Sequence, residues 1–173
     1  MTGYKHCGWM LGALLAVSPG LARAASLVAL VDGIPGNVTE VSHKAWLGLD
    51  SQSWGLERTG AAPAFQVVTL TLDSGPWSAA LAQSAASGQR IRSVVLDRTS
   101  SSAGGEQVVS RIVLEDVTVR SFATAARSAG NESISMQLTF GTIRWEYYGY
   151  DYSSGVLKTT GKGGWSLTKN GPL

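Results

Sequence analysis

From Ile134 onward, every second residue of the chain is apolar: Ile134, Met136, Leu138 and Phe140. Past Gly141 the pattern resumes one register out, through Thr142, Ile143, Trp145 and Tyr147. A period of two places one face of a β-strand on a core and leaves the other to water or a partner. The step at Gly141 predicts a bulge or bend. A short Gly/Ser/Lys-rich gap follows, then Gly163-Gly164-Trp165-Ser166-Leu167. A long bent strand closed by a Trp-bearing strand builds a curled sheet, not a catalytic loop.

The rest of the chain agrees. Leu27 to Val31 is a short apolar run ended by the turn Asp32-Gly33-Ile34-Pro35-Gly36. Residues 46–54 alternate loosely through Trp46, Leu47, Leu49 and Trp54, as a second strand would. Residues 56–64, rich in Gly, Pro and small side chains, read as an extended loop. Phe65 to Leu72 reads as a strand with two fairly apolar faces, hence a central one. Asp73-Ser74-Gly75-Pro76 then changes the period: Ser74 or Asp73 is a cap, Pro76 suits a first helical turn, and Trp77, Leu81 and Ala85 recur at helical spacing up to Gly88. Trp77 and Leu81 should pack on the sheet. Strands return at 91–99 and 108–119, joined by a soft turn at 100–105, with Ile112, Leu114 and Val117 inward. Residues 122–131 read as a loop. About seven strands and one helix predict an all-β fold: a closed or nearly closed β-barrel of two packed antiparallel sheets with one flanking α-helix.

The first 24 residues are expected to stand outside this fold. Lys5 and His6 precede an apolar run, Cys7 to Val17, broken by Ser18-Pro19-Gly20 and followed by Ala22-Arg23-Ala24. That order is a secretory signal peptide, and the run falls short of the about 20 residues a membrane span needs. Residues 25–173 then form a single domain with no disulfide, since Cys7 is the only cysteine. Losing Lys5 and Arg23 leaves 12 basic residues against 12 acidic ones. A net charge of zero argues against nucleic acid as a partner.

No catalytic, metal or cofactor set emerges. The one histidine past residue 24, His43, lies in a polar stretch and reads as a solvated loop residue; the serines form no G-x-S-x-G elbow. One histidine without cysteine is a poor zinc site. Glu115 and Asp116 are adjacent, so a strand would aim them at opposite faces; Asp50, Glu57, Asp73 and Asp97 are scattered. Neither Gly104-Gly105 nor Gly163-Gly164 precedes a helix, so neither is a phosphate loop. Aromatics remain: Trp145, Tyr147, Tyr148, Tyr150, Tyr152 and Trp165 crowd the C-terminus, as core and rim, as an interface, or as a platform for sugar rings.

The ordered set of segments resembles the haemolysin-coregulated protein (Hcp) family, the tube proteins of bacterial type VI secretion. Leu30-Val31-Asp32-Gly33-Ile34-Pro35-Gly36 is similar to the family's opening strand and its I/V-x-G-x-x-G turn. Ser53-Trp54-Gly55 leads into a small-residue loop, and the 67–73 strand into the sole helix. Ile91 to Leu96 resembles the strand after that helix, and Ile112-Val113-Leu114-Glu115-Asp116-Val117-Thr118-Val119 the strand Y-x-x-L-x-D/N-V-x-V-S. Glu132 to Tyr147 resembles E-x-v-x-L-x-F-x-x-I-x-x-x-Y, and Gly164 to Asn170 the finish G-W-x-x-x-x-N. The resemblance implies a non-enzymatic structural subunit whose partner is itself, in hexameric rings that stack into a tube carrying effectors or meeting spike proteins. It makes Gly55, Leu56, Glu57, Arg58, Thr59 and Trp165 the candidate assembly residues. Family members usually lack an export signal, so the leader implies an exported, periplasmic or extracellular relative. The alternative function is a secreted β-sandwich module binding carbohydrate or protein.

Overall fold

The computed structural model describes residues 26–173 except 61, 103, 104, 127, 129 and 152, and, for side chains, also 59 and 102. The expected signal peptide and Tyr152 lie outside the described residues.

Among these residues are twelve strands and one α-helix. In chain order they are β1 (Leu27–Val31), β2 (Leu47–Leu49), β3 (Ser51–Ser53), β4 (Leu56–Thr59), β5 (Ala62–Phe65), β6 (Val68–Asp73), α1 (Trp77–Ser87), β7 (Arg90–Ser102), β8 (Gly105–Ala125), β9 (Ser133–Thr139), β10 (Thr142–Tyr150), β11 (Leu157–Ser166) and β12 (Gly171–Pro172). β4 and β5 form a two-stranded sheet, and the other ten strands form one sheet. The mainly β fold with a single helix is as expected.

β8 is the spine. β7 pairs with it from Gly105 to Thr118, while its other side pairs first with β10 and then with β9. From the spine one path runs through β7 and β1 to β2, the other through β9 and β6 to β3. β2 and β3 are separated only by Asp50, whose N–H donates to the carbonyl of Thr71 at 2.9 Å. The two paths therefore meet at Asp50, through the chain itself and this one backbone bond, and the strands form a nearly closed circuit. The interior holds Leu47, Val68, Leu70, Leu72, Leu96, Leu114, Ile134, Met136, Leu138 and Ile143, all essentially without exposure. β10, β11 and β12 leave the circuit as a wing.

The predicted break at Gly141 is a corner shared by three strands. Buried residues are three apart there instead of two: Ile91 and Val94 on β7, Leu114 and Val117 on β8, Phe140 and Ile143 at the β9–β10 junction. The register pairs Ile91 with Val117 and Val94 with Leu114, so the strands exchange their inward faces together. The Gly141 N–H donates to Glu115 O at 2.9 Å. A Cβ on Gly141 would lie 3.1 Å from the Asp116 Cβ, and Asp116 itself takes φ +54°. A turned-over sheet needs this close approach, and a residue without a side chain permits it.

Several expectations need correction. Residues 56–64 are not a loop: β4 and β5 pair from Leu56↔Phe65 to Thr59↔Ala62, with Gly60 at φ +84° between them. The second strand is split at Asp50 because its two halves pair with different partners, β1 and β6. β8 continues to Ala125 through residues read as a loop, because β9 supplies a partner for each of them. The helix stops at Gly88, φ +64°, as expected, but neither Asp73 nor Ser74 caps it. The Ser74 N–H donates to Glu132 O, and Ser78 Oγ accepts from the Gly75 N–H instead. Neither Glu115 nor Asp116 enters the core at the corner: Glu115 binds Arg144 and Asp116 faces Arg90, so the two do not act as a couple.

Candidate functional site

Three surfaces carry the features that function can use: the β4–β5 hairpin, the open margin of β11, and a row of charges on the outer face of the main sheet.

The hairpin holds five of the six assembly candidates, Gly55 to Thr59. Each of its strands pairs only with the other among the described residues. Leu56 is half-exposed. Its base is fixed by Gln66 N–H to Gly55 O at 2.9 Å, by Gln66 Nε2 donating to Glu57 Oε1 at 2.9 Å, and by Phe65 meeting Phe140 edge to face. Arg58 is engaged as well, and the side chain of Thr59 lies outside the described residues. Trp165 is on a different sheet. It pairs with Ile143 and Pro172 and packs half-buried against the core, so five of the six candidates lie on the hairpin and the sixth on the main sheet. Trp165 stands instead at the inner end of β11.

Along its outer side β11 has no partner from Leu157 to Gly163 among the described residues; β12 pairs only with Trp165 and Ser166. Such margins attract another strand unless charge or cover deters it. Lys158 and Lys162 stand on this one, but Lys158 is bound by Asp151 at 2.5 Å and Lys162 by Glu146 at 3.1 Å. The Asp151 carboxylate is held well below its usual range, first by Lys158 and then by Ser153.

The charge row is set by register. Asp97 on β7 pairs with Arg111 on β8, Arg111 with Glu146 on β10, and Glu146 with Lys162 on β11. Opposite charges directly across antiparallel strands attract. At the inner end Arg111 grips Asp97 through Nε at 2.7 Å and Nη2 at 2.6 Å, a bidentate pair that raises the Arg111 pKa against the opposing effect of burial. Farther out, Tyr148 donates its hydroxyl to Glu146; this bond, with Lys162, lowers the Glu146 pKa. Burial and the same carboxylate push Tyr148 up to about 12.

His43 closes the inner end and is not solvated. It is 3% exposed, with Nε2 at 3.1 Å from Asp97 Oδ2 and its ring edge-on to Trp46. Ser42 Oγ lies 2.9 Å from His43 Nδ1 and 3.0 Å from Glu40 Oε1, so one hydroxyl proton has two acceptors in reach. The order Ser42–His43–Asp97 is that of a hydrolytic triad, but Asp97 is already consumed by Arg111 and the imidazole is buried. The set anchors the 32–46 segment to the outer face of the sheet. That segment is fixed further by Gly36, where a Cβ would come within 2.3 Å of the Trp46 carbonyl oxygen. Sequence reasoning missed Asp97 and Arg111; the signal was charge alternation at equal register, visible only once strands are paired.

The C-terminal aromatics divide. Trp145 stacks on Trp54 at 5.8 Å, closing the wall beside the hairpin. Tyr147 is half-exposed and Tyr150 half-buried. Among the described residues no group of acids, histidines or cysteines is placed to hold a metal ion, and no helix is long and apolar enough to cross a membrane.

The family described as "Type VI secretion system effector, Hcp" matches residues 29–147. No curated protein sequence is significantly similar to the chain. Solved structures share the fold. A type six secretion system protein superposes with a TM-score of 0.79 at 21% identity, covering 87% of this chain and 100% of its own. An Hcp protein from Salmonella typhimurium gives 0.74 at 18% identity, covering 87% and 99%. A type VI secretion system effector from Yersinia pestis gives 0.69 at 13%, covering 82% and 99%.

Proposed function

The chain belongs to the Hcp family of type VI secretion, and from that premise we propose that it is a structural subunit that closes into hexameric rings. The rings stack into a tube that carries or chaperones effectors, and its role is assembly rather than catalysis. The observation that supports this reading is the presence on one subunit of two unlike margins that no further strand covers among the described residues, the β4–β5 hairpin and the outer side of β11. A ring needs a head-to-tail contact, in which one surface meets a different surface of the next copy. Strand margins satisfied by a neighbour also cease to be an aggregation hazard. In this reading Gly55, Leu56, Glu57, Arg58 and Thr59 meet the neighbouring copy from one side, and Trp165 supports the β11 margin on the other. Effector and spike proteins are the further partners.

The residue 1–24 leader adds export to this reading: the subunit serves in the periplasm or outside the cell. Protein recovered from those fractions is expected to begin at Ala25; recovery of the intact N-terminus from the cytoplasm alone would remove export from the proposal. Assembly is tested by light scattering on the purified protein. A mass of six protomers is expected, and a strict monomer up to high micromolar concentration would defeat the ring.

A further inference from the structure

A cleft outside both margins has the make-up of a small-ligand site. β10 pairs with β8 only as far as Tyr147↔Ser110. Beyond that rung β8 stays with β7 and β10 stays with β11, so the two strands part. The opening is a cleft of about 400 Å³, within the range of small-molecule sites. Its floor and walls are Val109, Tyr147, Tyr148 and Tyr150, and its polar groups include Arg98, Ser100 and Gln107. Gln107 donates Nε2 to Gly155 O at 2.7 Å, tying β8 to the turn between β10 and β11.

Two features select the ligand. The phenol rings that line the cleft, with Tyr147 49% exposed, are groups on which the C–H side of a sugar ring can stack, and the hydroxyls of Ser100 and Ser101 beside them can meet its hydroxyls. Arg98 is exposed, and its side chain makes no ion pair with any described residue, whereas the nearby Arg111 and Glu146 are compensated along the charge row. A purely apolar ligand would strip water from this guanidinium and return nothing. One uncompensated guanidinium matches one carboxylate, gripped in bidentate fashion. A multiply charged phosphate would leave charge over, with Glu146 on the adjoining rung. We propose that this cleft binds an acidic sugar, a pyranose carrying a single carboxylate.

Such a unit occurs as a uronate and as the lactyl-bearing muramate of cell-wall glycans, and the test separates them. The full chain is titrated by calorimetry with a cellotriose whose terminal glucose is oxidised to a single glucuronate, with the N-acetylglucosaminyl-N-acetylmuramic acid disaccharide, and with neutral cellotriose. At least one acidic sugar should bind at least tenfold more tightly than cellotriose, and the one that binds identifies the source. Arg98→Gln should erase that preference, and Tyr147→Ala should weaken binding tenfold or more, with circular dichroism unchanged in both. Absence of binding by both acidic sugars, equal binding of the neutral one, or an undiminished preference in Arg98→Gln would each overturn the proposal. The wild-type titrations decide it even if a variant fails to fold.

Discussion

The circuit and the wing belong to one sheet but are held by different forces. In the circuit, Leu70, Leu72, Met136 and Leu138 face inward with no more than 1% exposure. In the wing, β11 is exposed over most of its length, and its contacts with β10 are backbone hydrogen bonds backed by Lys162–Glu146 and Lys158–Asp151. Apolar burial contributes about 25 cal/mol per Å² and involves no titrating group. Exposed ion pairs contribute about 0–1 kcal/mol each and respond to pH and salt. The lesson is a division of labour: an apolar wall, and beside it a margin that no described strand covers. The charge row joins the two, buried at Asp97 and open to water at Lys162.

The sharpest way to break this contrast is to empty the wall. Leu138→Ala is expected to lower unfolding free energy by about 2–5 kcal/mol in denaturant titration; a loss below about 0.5 kcal/mol would show that the face is not the core. At the junction, Arg111→Ala strands the Asp97 carboxylate beside His43 alone. Severing fully buried pairs costs about 3–5 kcal/mol, and since Arg111 keeps 37% of its exposure the expected loss is nearer 2–3 kcal/mol. His43→Ala removes a buried hydrogen-bond partner and should cost about 1–3 kcal/mol; a solvated histidine would cost nothing measurable. Lys162→Ala, in the wing, should cost less than about 1 kcal/mol and little at high salt.

The contrast also has a pH signature. Glu146 and Asp151 are both depressed in the folded protein. Their stabilisation is therefore fully present above their ordinary values of 4.5 and 3.8, and is lost as pH falls through and below them. Tyr148 is raised, so its contribution is complete below pH 10.0 and drains away between there and about 12. Amide exchange should show β11 loosening at pH 3 while β6 and β9 keep their protection. Equal loss across both regions would remove the distinction.

Much of the wall was legible in the sequence. Ile134, Met136, Leu138 and Phe140 announce their face by simple alternation, and Gly141 announces the corner because a lone glycine within a strand pattern marks a close approach. In β8 the apolar residues Ile112, Leu114 and Val117 already read as inward, and all three are buried; the matching turn in β7 was not legible, because no glycine marks it. The hairpin read as a loop because its residues are small and its two strands bury little of themselves. His43 read as solvated because its neighbours in sequence are polar, while its neighbours in space, Asp97 and Trp46, include one 54 residues away. A period of two reports which residues share a side; it does not report which strand lies across from them.

The most direct test of the proposed ring assembly is to look at the particles by electron microscopy at neutral pH. Class averages are expected to show annuli of six-fold symmetry, with side views of stacked rings at higher concentration. Uniform particles of a single protomer, under conditions where circular dichroism shows the sheet intact, would contradict the account.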